Sequence, residues 1–476
     1  MLKKCGKCYR ITNVLEALKV LEENEKYYEK INKLIGNKNN KYHIFTMGCQ
    51  LNENDSEKIS GMLTKMGYTE TNEFKEADFI IFNTCCVREN AEERLFGKIG
   101  EVKNLKRDKD VILAIGGCMM QEENMLKKIK TSYPFVDIVF GTHTLQNLPK
   151  NVYEALESKK RIRDVIDIDG EVYEGLPIKR NDKYKASVTI MYGCNNFCSY
   201  CIVPYVRGRE RSREPEKILE EVNSLAKEGY KEITLLGQNV NSYKGNDIIK
   251  NFADLLDSVC KIRGIERVNF ISPHPKDFTD DVIDVIAKNE KISRIIHLPM
   301  QSGNTKVLKE MNRKYSKEQY LNLAQKMLKK IPGLVLSTDI IVGFPGETDE
   351  EFEDTLDVVR KINFEQIFMF IYSIRKGTVA AERKDQIPEE IKHQRFERLK
   401  QLYDSKVDEN NNKYIGTYQK VLVEGESKNN LEVYQGRTNT NKVVIFDKNE
   451  KVQIGDVINI KITEAHKWYL KGEYYE

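Results

Sequence analysis

The segment Cys194-Asn195-Asn196-Phe197-Cys198-Ser199-Tyr200-Cys201 decides the fold and the chemistry of this chain. Its three cysteines have a Cys-x3-Cys-x2-Cys spacing and begin where an apolar stretch of strand character, residues 186–192, ends. Thiolates this close together favour zinc or an iron-sulfur cluster. A closed structural zinc site takes four protein ligands, and no fourth Cys or His lies nearby in the sequence. The spacing therefore predicts a 4Fe-4S cluster with one iron left open to a ligand. A zinc knuckle is the alternative.

Length and composition limit what the chain can be. At roughly 150 residues per domain, 476 residues predict about three domains. The net charge of +4 is small beside 77 basic and 73 acidic residues, so nucleic-acid binding would depend on local patches. Ten cysteines are too few for a disulfide scaffold here, which predicts a reducing, cytoplasmic location. No stretch reaches the roughly 20 apolar residues of a membrane span, and we expect a monomer without membrane contact.

The N-terminal third predicts a helix followed by an α/β domain. Residues 1–40 have apolar positions at helical spacing and predict an appended amphipathic helix, with Cys5 and Cys8 of open role. In residues 41–159 an apolar strand, a cysteine and a helix occur three times, which is typical of a parallel sheet. Ligands gather at the carboxyl ends of parallel strands, so three thiols should meet in space. They are Cys49, either Cys85 or Cys86, and Cys118, with buried structural cysteines as the alternative.

The rest of the chain predicts a linker, a second α/β domain and a β-barrel. Residues 160–179 are charged and contain turn residues, which is typical of a linker. Residues 180–410 contain six βα units, two short of a closed barrel, so we expect an open, partial (β/α)6 barrel. Residues 413–476 contain short alternating strands separated by glycines, which predict a small all-β barrel of the OB type. Such barrels often bind nucleic acid, and a module that only stabilises the fold is the alternative.

Four arginines follow the cysteine segment closely. They are Arg207, Arg209, Arg211 and Arg213. Guanidinium groups bind phosphate bidentately, so we expect RNA backbone, or a cofactor carboxylate, as their partner. Pairing with Glu210 and other nearby carboxylates is the alternative.

Four motifs of the sequence belong together. They are Gly48-Cys49-Gln50-x-Asn52, Asn83-Thr84-Cys85-x-Val87-Arg88-Glu89, Gly117-Cys118-Met119-x-Gln121, and the run from Met191 to Arg213 that contains the cysteine segment. Together they resemble the radical S-adenosylmethionine (AdoMet) methylthiotransferases. The resemblance covers about residues 41–476 and, within the family, is to the bacterial enzymes that modify N6-dimethylallyladenosine in tRNA. It favours Cys85 over Cys86 as a ligand, and the N-terminal helix lies outside it.

The resemblance implies a reaction with two clusters. Cys49, Cys85 and Cys118 would hold an auxiliary 4Fe-4S cluster that carries sulfur, and Cys194, Cys198 and Cys201 the 4Fe-4S cluster that cleaves AdoMet to a radical. A methylthio group would replace hydrogen at adenine C2 of N6-dimethylallyl(isopentenyl)adenosine beside the tRNA anticodon. Because a radical needs no base, His274 and His297 are interpreted as packed residues. The residues implied to contact AdoMet are Tyr200, Gly237, Gln238, Gln301 and Val342.

The resemblance also implies partners and leaves alternatives open. The C-terminal barrel would be a TRAM domain that grips the tRNA anticodon stem-loop, and the reaction would need a low-potential electron donor and a sulfur source. Sister enzymes that methylthiolate threonylcarbamoyladenosine in tRNA, or an aspartate of a ribosomal protein, are close alternatives. An iron-sulfur electron carrier or scaffold is an alternative of another class, but it would have no use for the arginine loop or the barrel.

Overall fold

The computed structural model describes residues 6–36, 38–86, 90–166 and 171–475. The chain forms two compact units. The first comprises residues 1–181, 191–195 and 201–213, and the second comprises residues 182–190, 196–200 and 214–476. Within the described ranges, no helix combines the length and the apolar character that crossing a bilayer requires.

A six-stranded, fully parallel sheet forms the centre of the first unit. The strands are β1 (Lys41–Met47), β2 (Thr69–Glu70), β3 (Phe79–Thr84), β4 (Ile112–Gly117), β5 (Ile138–Phe140) and β6 (Ile162–Asp164). Their order is β2-β1-β3-β4-β5-β6. The central strand β3 is buried along its whole length, which is typical of a parallel sheet covered on both faces. The predicted parallel α/β domain is therefore confirmed.

Helices cover both faces of this sheet. Successive β3 residues point to opposite faces and are therefore buried in two different apolar cores. Phe79 and Ile81 belong to one apolar core, and Ile80 and Phe82 belong to another. The helices are α1 (Gly6–Ile35), α2 (Gln50–Lys65), α3 (Asn90–Asp108), α4 (Glu123–Ser132), α5 (Leu148–Ser158) and α6 (Val203–Arg207). Two short antiparallel strands, β8 (Met191–Tyr192) and β9 (Arg211–Ser212), complete the unit.

Two predictions at the edges of this unit need correction. Helix α1 is no appendage, because Tyr28 and Ile31 are buried in the core that also contains Phe79. The predicted linker begins with a strand: β6 pairs in parallel with β5, although its sequence Ile-Arg-Asp carries almost no apolar signal. The predicted pair Cys5 and Cys8 lies outside the side chains that the structure describes.

Six parallel strands of the second unit form an open arc. The strands are β7 (Lys185–Thr189), β10 (Glu232–Leu236), β11 (Arg267–Phe270), β12 (Ile295–His297), β13 (Val335–Val342) and β14 (Gln366–Ile371). They pair as β7-β10-β11 and β12-β13-β14, all in parallel. The backbone of Val268 joins the two halves: its N–H donates to the Lys291 carbonyl (2.8 Å), and its carbonyl accepts from Ser293 (3.1 Å).

This arc confirms the predicted partial (β/α)6 barrel, with β7 and β14 as its two free edges. A helix follows most strands and buries one of the strand's faces. The helices are α7 (Pro215–Lys227), α8 (Phe252–Cys260), α9 (Asp280–Lys288), α10 (Thr305–Glu310), α11 (Lys317–Lys330), α12 (Asp349–Lys361) and α13 (Glu389–Asn412).

A closed five-stranded barrel ends the second unit, as the alternating texture of residues 413–476 predicts. The strands are β15 (Tyr418–Ser427), β16 (Asn430–Thr438), β17 (Val443–Asp447), β18 (Val457–Ala465) and β19 (Leu470–Tyr475). They close in the order β15-β16-β17-β19-β18 around Val421, Val423, Val444, Ile460 and Ile462, which are all fully buried.

Candidate functional site

Three of the predicted thiols follow three neighbouring strands of the first unit. Cys49 is the N-cap of α2 directly after β1, Cys85 follows β3, and Cys118 follows β4. Because β1, β3 and β4 are adjacent in the sheet, their carboxyl ends lie side by side, as the sequence predicts. The Cys49 and Cys85 side chains are within hydrogen-bonding reach of each other.

The surroundings of these thiols favour thiolate, the form that binds metal. The hydrogen bond with Cys85, together with the charge of Arg207, lowers the pKa of Cys49 to about 5 against the opposing effect of burial. A hydrogen bond with Cys86, followed by the charge of Arg207, lowers the pKa of the buried Cys118 thiol. Cys86 is the donor of that pair, because the same hydrogen bond and its burial raise the pKa of Cys86 well above the usual range.

Arg207 belongs to this site rather than to the surface. Its Nε lies 3.0 Å from Cys118 Sγ, and its Nη1 forms an ion pair with Asp55 Oδ2 at 2.8 Å. The residue is only 5% exposed. The predicted contact of Arg207 with an RNA phosphate is therefore wrong, because this guanidinium is already bound inside the first unit.

Two asparagines of the predicted motifs fix the strand ends around the thiols. Asn52 Nδ2 donates to Asn83 Oδ1 and to the Thr84 carbonyl, both at 3.2 Å. Asn83 Nδ2 in turn donates to the Asn52 carbonyl at 2.8 Å. Gly117 has a φ of +97°, and a Cβ there would lie 2.3 Å from the Thr84 carbonyl oxygen, so the close approach of β3 and β4 requires glycine.

Hydrogen bonds within each unit hold the part of the cysteine segment that belongs to that unit. In the first unit, the Cys194 N–H donates to the Gly208 carbonyl (3.1 Å), and Asn195 bonds to Glu210. Gly193 has a φ of +76°, and a Cβ there would lie 2.0 Å from the Arg209 carbonyl oxygen. The turn that presents Cys194 therefore excludes any larger residue.

In the second unit, the segment after α10 binds residues 196–199 by four hydrogen bonds. Asn312 Nδ2 donates to the carbonyls of Asn196 (3.1 Å) and Phe197 (2.8 Å). The backbone N–H and the hydroxyl of Ser199 donate to the carbonyls of Met311 (3.0 Å) and Glu310 (2.8 Å). Phe197 is held at a φ of +47°, which is uncommon for a residue with a side chain and marks a constrained loop.

Both thiol trios are predicted ligands of iron-sulfur clusters rather than of a single metal ion. Among the described residues, no group of three or more Cys, His, Asp or Glu side chains is arranged to hold one ion. In a four-iron cluster each thiolate binds a different iron, so the thiols need not converge on a point. A buried guanidinium lies beside one sulfur of each trio, Arg207 beside Cys118 and Arg313 beside Cys198.

The predicted AdoMet residues lie at the open end of the second unit. Gly237 and Gln238 follow β10, Gln301 follows β12, and Val342 ends β13. Gln238 is half-buried, and the two polar atoms of its side chain are buried without a hydrogen-bond partner within the described structure, which is uncommon for a side-chain amide. Gln301 is 7% exposed and has a φ of +69°. Half-buried Tyr200 packs against the apolar core that contains Phe344.

One face of β13 and β14 is left open. Asp339 and Phe368 are register partners, as are Ile341 and Phe370, so the four side chains point to the same side. Phe368 and Phe370 are 42% and 49% exposed. This aromatic face was not predicted, because a strand that reads Gln-Ile-Phe-Met-Phe-Ile predicts burial of all its residues.

The two histidines occupy different settings. His274 is buried as predicted, and burial, with the nearby charges of Arg313 and Lys276, holds its pKa far below the usual range. His297 lies on the open face, where its Nε2 is 3.3 Å from Asp339 Oδ2 and its ring meets that of Phe368 edge to face.

The other three arginines of the predicted loop differ in availability. Arg213 donates to the Glu174 carboxylate through two nitrogen atoms, at 2.8 and 2.6 Å. For this arginine the alternative prediction applies, which is pairing with a carboxylate of the chain. Arg211 donates to the carbonyls of Arg209 (3.1 Å) and Arg207 (3.2 Å). Arg209 alone of the four is exposed.

The C-terminal barrel exposes aromatic rings. Tyr418 and Tyr475, on β15 and β19, have ring centroids 4.7 Å apart and are each about half exposed. Trp468 is 73% exposed, and Lys467 Nζ lies 5.4 Å from its ring. Aromatic faces beside cations are the surfaces on which unpaired bases stack.

Family models match the three predicted regions. The Radical SAM superfamily matches residues 188–359, the uncharacterised protein family UPF0004 matches residues 41–141, and the TRAM domain matches residues 412–474.

Curated relatives match almost the whole chain. A protein of Clostridium botulinum (strain Hall) named tRNA-2-methylthio-N(6)-dimethylallyladenosine synthase is 52% identical over 435 residues, which are 91% of this chain and 96% of that protein. A protein of the same name from Clostridium tetani (strain Massachusetts) is 51% identical over 448 residues, 93% of this chain and 98% of that one.

A solved structure supports the fold. The radical S-adenosylmethionine methyltransferase TsrM from Kitasatospora setae superposes with a TM-score of 0.53, covering 72% of this chain and 75% of that chain at 14% identity.

Proposed function

The chain belongs to the radical AdoMet methylthiotransferase family, and from this we propose that it transfers a methylthio group to C2 of N6-dimethylallyladenosine beside the anticodon of tRNA. The observation that carries the proposal is the pair of thiol trios, one at the strand ends of the first unit and one in the cysteine segment. Relatives that match more than nine tenths of the chain bear the name of this reaction.

The two trios have separate roles in this proposal. Cys194, Cys198 and Cys201 would hold the cluster that binds AdoMet, and Cys49, Cys85 and Cys118 a second cluster that carries the sulfur. When bound, these groups supply a carbon-centred radical and the methylthio group, neither of which a side chain can provide. The chain itself orients them: Asn312 and Ser199 fix the AdoMet-cluster loop, and Asn52 and Asn83 fix the strand ends at the other site.

The open face of β13 and β14 supports a prenylated substrate. Phe368 and Phe370 offer apolar surface to a dimethylallyl tail. A threonylcarbamoyl group carries a carboxylate, which would need a cation, yet an acidic residue, Asp339, lies on this face beside His297. The face also lies on the strand that ends at Val342, one of the residues that we assign to AdoMet, together with Tyr200, Gly237, Gln238 and Gln301.

Nucleoside analysis tests this assignment. In tRNA from a strain that lacks the protein, we expect 2-methylthio-N6-isopentenyladenosine to disappear and its precursor without the methylthio group to accumulate. In vitro, tRNA without the prenyl group should react poorly: five buried carbons at about 0.8 kcal/mol each contribute up to about 4 kcal/mol, so kcat/KM should fall by up to about 1,000-fold.

The same assay separates the alternatives. Phe368→Ala and Phe370→Ala should raise KM for prenylated tRNA, whereas Leu328→Ala, which truncates a partly exposed apolar residue on α11, should not.

Nucleoside analysis of the strain without the protein has a second possible outcome. Loss of the methylthio group from threonylcarbamoyladenosine, with the isopentenyl nucleoside intact, would assign the chain to the sister enzymes instead.

We propose that the C-terminal barrel contacts tRNA through its exposed aromatic rings. Base stacking on an aromatic side chain contributes about 1–3 kcal/mol, so Trp468→Ala or Tyr418→Ala should weaken tRNA binding by about tenfold. Leu431→Ala, which truncates an exposed aliphatic residue of the same barrel, is the matched control. If all three variants bind tRNA as tightly as the unmodified protein in a filter-binding assay, the barrel serves only to stabilise the fold.

The proposed reaction requires further partners. A low-potential electron donor must reduce the AdoMet cluster, and a sulfur source must replenish the other site. We propose that the chain works as a monomer in the cytoplasm, where its tRNA substrate is found.

A further inference from the structure

Arg313 is a buried cation without a carboxylate partner among the described residues. Its side chain lies in the interior of the second unit and is 6% exposed. Its Nε donates to Tyr315 Oη (2.9 Å), its Nη2 donates to the Pro299 carbonyl (2.9 Å), and its Nη1 lies 3.5 Å from Cys198 Sγ. It forms no ion pair with any described Asp or Glu.

Burial of this guanidinium lowers the stability of the fold unless an anion lies beside it. A guanidinium stays charged at all physiological pH values, and a buried charge without a counter-charge destabilises a fold by several kcal/mol. Of the groups that Arg313 contacts, the tyrosine hydroxyl and the carbonyl are neutral, which leaves the Cys198 sulfur and the group that it is proposed to hold. The counter-charge would therefore be the anionic cluster bound through Cys198.

The side chain of Asn312 helps to fix this contact. Asn312, the residue before Arg313, has a φ of +57° and donates to the carbonyls of Asn196 and Phe197, which directly precede Cys198. The position of the guanidinium relative to the sulfur is thus set by hydrogen bonds on both sides of the contact.

The other thiol trio offers an internal comparison. Arg207 also lies against a cysteine sulfur, at 3.0 Å from Cys118 Sγ, but Asp55 pairs with it at 2.8 Å and neutralises much of its charge. The two sites therefore share a sulfur-bound arginine and differ in net charge. Hydrogen bonds and charge near cluster sulfurs tune the reduction potential of a cluster.

We propose that Arg313 is a positioning residue that supplies the counter-charge of the cluster held by Cys194, Cys198 and Cys201 and raises that cluster's reduction potential. The added electron makes the cluster more negative, so an adjacent fixed cation stabilises the reduced form more than the oxidised form. The inference rests on the proposed function, because that function assigns the cluster to these thiols.

Redox titration followed by electron paramagnetic resonance tests this inference. The full-length chain with Cys49, Cys85 and Cys118 replaced by Ala would hold only the cluster in question. In that background we expect Arg313→Gln to lower the ratio of reduced to oxidised cluster at least tenfold at a fixed solution potential, a shift of about 59 mV for one electron. Arg313→Lys, which keeps the charge, should restore most of the ratio.

Control variants make the outcome decisive. Arg360→Gln removes an exposed guanidinium of the same unit and should leave the potential unchanged. If Arg313→Gln loses iron while Arg313→Lys keeps it, the counter-charge is again supported. A wild-type potential in an iron-loaded Arg313→Gln variant, or equal losses in the Gln and Lys variants, would overturn the proposal. Absence of a cluster in the unmodified background would instead contradict the proposed function.

Discussion

Replacing Cys194, Cys198 and Cys201 together with Ala should abolish AdoMet cleavage and halve the iron content. The anaerobically reconstituted chain should contain about eight irons, four for each cubane, and the triple variant about four. The physical reason is that AdoMet cleavage needs an iron with an open coordination position, which the cysteine segment provides by supplying only three ligands. Iron analysis and release of 5′-deoxyadenosine under reducing conditions measure the two effects.

Cys260→Ala is the matched control for this experiment. Cys260 is a buried cysteine of α8 in the second unit and belongs to neither trio. The Cys260→Ala variant should keep full iron content and full AdoMet cleavage activity. Full iron content in the triple variant would contradict the assignment of the cysteine segment.

Replacing Cys49, Cys85 and Cys118 with Ala should have a different effect, because these thiols are proposed to bind the cluster that carries sulfur and not the cluster that cleaves AdoMet. We expect AdoMet cleavage to persist, half of the iron to be lost, and methylthio transfer to tRNA to fall below detection. Product analysis of the tRNA, run beside the cleavage assay, separates the two activities.

The neighbour of Cys85 supplies the internal control. Cys86 lies in a small apolar cluster with Cys118, Ile202 and Val206, whereas the Cys85 thiol is hydrogen-bonded to the Cys49 thiol. Cys86→Ala should therefore keep nearly all iron, and Cys85→Ala should not. The reverse result would mean that Cys86 is the ligand.

The fold was largely predictable because its strands carry strong local signals. Glu232–Leu236 and Val335–Val342 are among the six strands that the predicted βα units require, since each combines apolar residues with flanking turn residues. Strand β16, Asn430–Thr438, was missed because its residues are mostly polar and its place in the barrel depends on pairing with β15 and β17. Strand β6 was missed for the same reason.

The sites were only partly predictable. Cysteine spacing and strand ends are visible in a sequence, and the structure brings Cys49 and Cys85 together as expected. The partners of charged residues are not visible: Asp55 lies about 150 residues before Arg207, and Arg313 more than 100 residues after Cys198. A basic stretch such as Lys309 to Lys314 suggests a solvated surface, so nothing in the sequence indicates that Arg313 is buried.

The arrangement of four thiols at the first site also determines how the empty protein should respond to air. Cys49 is within reach of Cys85, and Cys86 is within reach of Cys118. Oxygen can accept two electrons and two protons from either pair and leave a disulfide. Two such bonds would consume all three ligands, and the second would form only because Cys86 stands beside Cys118. We therefore expect a thiol reductant to be needed before iron can enter the first site of protein that has been exposed to air.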